Sequence, residues 1–187
     1  MRVIAFDTET TGLSKNDHIV SICWIVYKKG EEIDRQSYII KPLDYIIPQV
    51  TINIHGITNE MANTEGVDIL GVLHMFNESL GMSDIAIGHN LSFDMRMIAQ
   101  EMVRYSCLQN IIKSQSCTMK MGKPITNIKS FNKNGRPFVK SPKLIELYIY
   151  LFGEEFDGQH NSTADTIACA RCYFKMTGVE MIQKKSH

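Results

Sequence analysis

The chain has 187 residues, five of them cysteine, and 20 basic side chains against 20 acidic ones. With 44% hydrophobic and 21% charged residues it has the make-up of a single globular domain. No apolar run approaches the roughly 20 residues that span a bilayer. Asp7 interrupts the opening apolar stretch of a would-be leader, and an odd cysteine count at this size points to a reduced, cytoplasmic compartment rather than a disulfide scaffold.

Val3 to Phe6 has the β-branched, apolar character of a short buried strand, with Gly12 turning the chain beyond it. Asp7 and Glu9 end that run two residues apart. Side chains at i and i+2 of a strand share a face, so the two carboxylates converge and repel each other unless a cation lies between them. Oxygen donors of this kind select hard divalent ions such as Mg²⁺ or Mn²⁺. Ile19 to Tyr27 and Ile33 to Ile40 read as two more strands joined by the turn at Lys28 to Glu31, which makes a meander. Trp24 lies in the middle of one and is expected to be buried.

Pro42 and Pro48 bracket an irregular passage that leads to His55, and Thr58 caps a short helix from Asn59. Val67 to Leu80 has helical spacing and stops at Gly81. Asp84 to Gly88 is a short strand, and Ser92 to Tyr105 a helix with Met95, Ile98 and Met102 on one stripe. Residues 102–145 carry nine basic side chains and no acidic one, which reads either as a solvated basic loop or, the reading favoured here, as a flank that attracts phosphate. Within it, 114–141 is rich in Gly, Pro, Asn and Lys and reads mostly as loop. Ser141 and Pro142 open a helix to Phe152, and a last helix runs from about Ser162 to Thr177 with Gly178 as its stop. Cys169 and Cys172 form a lone pair on that helix, without further ligands nearby, and read as core. Strands first, then alternating helix and strand, indicate an α/β fold: a mixed sheet with helices on its faces, one domain over 1–180 and a short polar tail over 181–187.

Two more passages repeat the character of the first. Asp94 and Asp165 each fall in the first turn of a helix, where a carboxylate also complements the positive helix end. His160 stands five residues before Asp165. The blocks Phe6-Asp7-Thr8-Glu9-Thr10-Thr11-Gly12-Leu13, Gly88-His89-Asn90-Leu91-Ser92-Phe93-Asp94 and His160 to Asp165 together resemble the DEDDh 3′–5′ exonucleases, the DnaQ-like proofreading family with an RNase H-like fold. Ile54-His55-Gly56-Ile57-Thr58 is similar to that family as well. In the spacing of His160 the chain resembles the histidine branch of that family. Ser162 and Thr166 depart from it, because the family has small apolar residues there.

The resemblance implies an RNase H-like mixed sheet of about five strands flanked by helices. It implies two divalent cations, Mg²⁺ or Mn²⁺, held by Asp7, Glu9, Asp94 and Asp165. Asp7 would contact both ions, Glu9 and Asp165 the one that binds the attacking water, and Asp94 the second. His160 would take the proton from that water, a role its ordinary pKa near 6.5 suits. The implied reaction is release of nucleoside 5′-monophosphates from single-stranded or frayed 3′ ends of DNA, with RNA as the alternative substrate. Thr10, Thr11 and Gly12 fall where backbone would meet the terminal nucleotide, and Leu13 where it would wedge against its base. His55, Asn90 and Phe93 would be companions in that pocket, Phe93 offering a face for stacking. A catalytically idle nucleic-acid-binding module is the competing reading, and the full set of four acids with the histidine favours the enzyme. A polymerase partner and a homodimer both stay open, and the few residues after Gly178 favour a free-standing enzyme.

Overall fold

A computed structural model describes residues 1–182 except Gln109 and Ile111, so the expected polar tail lies, from residue 183 on, outside the described residues. Strands β1 (Arg2–Thr10), β2 (Ile19–Lys28) and β3 (Glu31–Ile39) form the expected meander. Then come the short helices α1 (Gln49–His55) and α2 (Asn59–Glu65), helix α3 (Ile69–Gly81), strand β4 (Ile85–Gly88) and helix α4 (Leu91–Arg104). Strand β5 (Ser114–Cys117), helix α5 (Thr118–Thr126) and a hairpin of β6 (Lys129–Phe131) with β7 (Pro137–Val139) follow. Helices α6 (Leu144–Phe152) and α7 (Ser162–Thr177) complete the described chain.

The five-stranded sheet has the order β3-β2-β1-β4-β5, antiparallel on the meander side and parallel from β1 through β4 to β5. Alternation along β1 divides the core. Ile4 and Phe6 pack with Trp24, Phe76 and Met97 beneath α3 and α4, whereas Val3 and Ala5 pack with Ala170, Tyr173 and Phe174 of α7 on the other face. Phe76 stands edge-on to both Phe6 and Trp24, with centroids 5.1 and 5.5 Å away. Trp24 is buried as expected, and its indole N–H donates to Ser79 Oγ at 3.2 Å. Cys169 and Cys172 are likewise buried. Glu101 of α4, fully enclosed, accepts the Ile19 N–H at 3.1 Å and pairs with Arg104, which ties α4 to the start of β2.

Several boundaries differ from expectation. β1 runs past Phe6 to Thr10, because ladder bonds to β2 continue beneath the carboxylates until the register shifts between Glu9 and Thr10. The passage after Pro48 holds helix α1, which is rich in β-branched residues and so lacks a strong helical signature. Residues 114–141 are not mostly loop. Polar β5 is a strand because it pairs with β4 rather than because it buries an apolar face, and Gly122 brings α5 against Leu147 and Pro142. Helix α6 starts at Leu144, not beside Ser141: Glu146 accepts the Lys143 N–H at 2.7 Å, while the Pro142 carbonyl faces the His89 ring at 3.1 Å.

Candidate active site

β1 delivers Asp7 and Glu9 on the face that Val3 and Ala5 share, toward α7. Asp165 meets them from the first turn of α7. That turn is held by Asn161, whose side-chain oxygen accepts the N–H groups of Thr163 and Ala164 at 3.0 and 3.2 Å. One oxygen from each of Asp7, Glu9 and Asp165 lies within 4.8 Å of the other two, and all three residues are half-buried. Asp94 approaches from α4 and is almost fully enclosed, 2% exposed. Its Oδ1 accepts the Thr8 N–H at 3.1 Å and the Thr8 hydroxyl at 2.8 Å, from the face of β1 opposite Asp7. His160 is exposed on the loop before α7, in a left-handed conformation with φ 62°. Its backbone N–H donates to Asp165 Oδ2 at 3.1 Å.

Crowded acids resist ionisation. Burial, then the charges of Asp94, Asp165 and Glu9, push Asp7 well above the usual carboxylate range. Burial, then Asp165 and Asp94, raises Glu9 to about 8. Asp94 is pushed up to about 7 by burial against the opposing pull of the Thr8 hydrogen bonds, and burial raises Asp165 to about 6. An all-oxygen donor set this close and this reluctant to carry its charge unaided fits a hard divalent cation.

An open cleft of about 520 Å³ lies at this point, with Asp7, Asp165 and His160 on one side and the Ser141–Ile145 segment on the other. The remaining residues named from the sequence do not line that cleft. Thr10 and Thr11 are buried, and their hydroxyls serve the turn: Thr10 donates to the Gly12 carbonyl at 2.7 Å and Thr11 to Asp17 at 3.0 Å. Gly12 is required by close approach, since a Cβ there would sit 2.7 Å from the Asp17 carboxylate. Leu13 is 78% exposed. Phe93 is half-buried with the Arg96 guanidinium 5.2 Å above its ring, and Asn90 holds the left-handed position before α4. His55 accepts the Ile57 N–H at Nδ1, and its Nε2 is buried without a hydrogen-bond partner among the described residues.

Two contributors escape the sequence reading. Thr8 lies inside the first block, but that its hydroxyl orients Asp94 depends on α4 crossing β1. His89 lines the cleft with one ring nitrogen 3.0 Å from the Thr118 hydroxyl and the other at the Pro142 carbonyl, and burial depresses its pKa to about 4. It staples the cleft's far wall to the end of β4.

The family model described as Exonuclease matches residues 4–173 of the chain. The chain belongs to the exonuclease family. The DNA polymerase III PolC-type protein of Bacillus subtilis is 30% identical over 174 residues, 92% of this chain but 11% of that protein. That of Listeria monocytogenes is 41% identical over 95 residues, 50% of this chain and 6% of the relative. Among solved structures, E. coli exonuclease I in complex with a dA16 oligonucleotide superposes with a TM-score of 0.75 at 18% identity, over 96% of this chain and 41% of that one. Exonuclease I from Methylocaldum szegediense superposes at 0.72 and 18% identity, over 94% of this chain and 40% of that one. The exonuclease domain thus has the RNase H-like architecture implied by its motifs, and it spans about a tenth of the full-length PolC-type relatives. No helix among the described residues is long and apolar enough to cross a membrane.

Proposed function

We propose that this exonuclease domain works in the 3′–5′ direction on single-stranded or frayed DNA ends, releasing nucleoside 5′-monophosphates with the help of two divalent cations, Mg²⁺ or Mn²⁺. The observation that carries the reading is the meeting of Asp7, Glu9 and Asp165, two of which, Asp7 and Asp165, line the cleft, with the charge of Asp94 acting on Asp7. Asp7, Glu9 and Asp165 would hold one cation, and Asp94 with Asp7 the other. Bound there, such ions supply a water nucleophile at neutral pH and neutralise charge on the attacked phosphate.

The chain's own residues supply the rest. His160, exposed at the cleft and anchored through its backbone to Asp165, takes the proton from the attacking water. Asp165 therefore both holds cation and fixes the loop that carries the base. Lys143, across the cleft, offers a positive charge to the phosphate backbone. Leu13 is exposed enough to press against the terminal base, and Gly12 lets the turn before it close. Thr10 and Thr11 shape that turn through their hydroxyls, so their part is to present backbone. His55 has a ring nitrogen without a hydrogen-bond partner among the described residues, and Asn90 and Phe93 flank Asp94 at the start of α4.

DNA is favoured over RNA because the full-length relatives are DNA polymerases, and for the same reason a polymerase partner is a natural setting for the domain. The deciding experiment incubates the protein with 3′-labelled and 5′-labelled single strands of matched DNA and RNA, in Mg²⁺ and in Mn²⁺. Prompt release of labelled mononucleotide from the 3′-labelled DNA is expected. Binding without any mononucleotide release under either ion would leave the idle-module reading standing instead.

A further inference from the structure

The hairpin of β6 and β7 is hardly needed for folding. Residues 131–138 are all exposed, and two strands of three residues bury little against anything. Yet it is sharply built. Asn132 accepts the N–H groups of Asn134 and Arg136 at 2.9 Å each, Gly135 takes the left-handed position at φ 73°, and the Lys140 N–H closes the base on the Ile128 carbonyl at 3.0 Å. Its pairing register puts Lys129 and Phe131 on one face, with Pro137 opposite Phe131. Phe131 is 71% exposed, an unusual display for a phenylalanine. Lys133 and Arg136 flank the tip, and no acidic side chain occurs anywhere in 102–145. Of the hairpin-region cations only Lys140 is paired within the described residues, to Glu146 at 2.5 Å. The chain leaves β7 at Val139 and lines the cleft from Ser141, so the hairpin's base stands within roughly 7 Å of the cleft wall, two residues of extended chain.

We propose that this hairpin is a guide for the nucleic-acid single strand upstream of the cleaved end, with Phe131 stacking on an unpaired base and Lys129, Lys133 and Arg136 holding phosphates. The alternation of ring and cation on one exposed ribbon matches the alternation of base and phosphate along a single strand. A duplex offers no open base face to Phe131, so the occupant is single-stranded. This assignment rests on the nuclease reading of the neighbouring cleft, and its test separates the two.

Binding of a fluorescein-labelled thymidine 20-mer and of a blunt duplex is measured by anisotropy in EDTA, across a salt series, where no cleavage occurs. The triple variant Lys129→Ala, Lys133→Ala, Arg136→Ala should flatten the slope of log affinity against log salt by about 2, from about 0.7 per lost phosphate contact. Phe131→Ala should weaken single-strand binding about tenfold, leave that slope alone and leave duplex binding unchanged. Both variants should hydrolyse a dinucleotide at the parent rate, because it reaches the cleft alone. Unchanged affinity and slope, no single-strand binding by the parent, equal losses on the duplex, or a matching loss on the dinucleotide would each overturn the assignment. A parent that binds the strand but never cleaves it would refute the nuclease reading while the hairpin is still read from binding.

Discussion

Asp7 is the side chain on which its neighbours converge: Glu9 shares its strand face, Asp165 reaches it from α7, and the charge of Asp94 acts on it through the sheet. Asp7→Asn keeps the shape and removes the charge. Turnover should fall below a hundredth of the parent, and calorimetry should register a matching loss of Mn²⁺ affinity; a variant with a tenth of parental activity would mean another residue bears the ion. His160 makes a different case, because its contact with Asp165 runs through backbone. His160→Ala should retain Mn²⁺ and oligonucleotide affinity while single-turnover cleavage slows roughly 10²–10⁴-fold. If affinity drops along with rate, the ring is holding the loop and is not the base. Both residues are legible in the sequence, since the i, i+2 pair and the five-residue spacing are local patterns. Thr8 is not, because its partner Asp94 lies 86 residues away.

At the scale of elements, the site depends on where two helices begin. Helix α7 starts at Ser162 because Asn161 satisfies two of its free N–H groups, and the Asp165 N–H bonds the Asn161 carbonyl at 2.9 Å. Asn161→Ala should lower stability by about 1 kcal/mol in denaturant melts. It should also reduce cleavage more than that loss would predict, because the first turn carries Asp165 and anchors His160. A pure stability loss with full activity at low temperature would show that the turn is held from elsewhere. The long amphipathic helices and the aromatic-rich strands follow directly from periodicity. Strand β5 and helix α5 do not: Ser114 to Cys117 is polar and becomes strand only because β4 offers a free parallel edge.

For the whole molecule the acid cluster sets a pH dependence. Asp7, Glu9, Asp94 and Asp165 all have folded pKa values raised above their ordinary range, with Glu9 at about 8 and Asp165 at about 6. Between the ordinary carboxylate pKa near 4 and those values the folded state therefore holds more protons than the unfolded chain, and stability falls as pH rises. Metal-free protein should melt at a lower temperature at pH 8 than at pH 5.5, as read by scanning calorimetry. Added Mn²⁺ should raise the melting temperature at pH 8 and do little at pH 5.5, where protons compete for the same oxygens. A melting temperature that rises with pH without metal would show that the carboxylates are not crowded in solution.

Local sequence marks the candidate residues, because strand alternation, the helix caps and the blocks around Asp7, Asp94 and His160 are each written within a few positions. It also determines the meander and the two long helices that flank it. Tertiary structure alone decides that β1 lies between β2 and β4, with α4 against one face and α7 against the other. Only that sandwiching brings Thr8 onto Asp94, seats Asp7 beside Asp165, and lets His89 tie Pro142 to the cleft. Contacts between residues tens of positions apart follow from burial of the shared core, and no local pattern encodes that choice of partner.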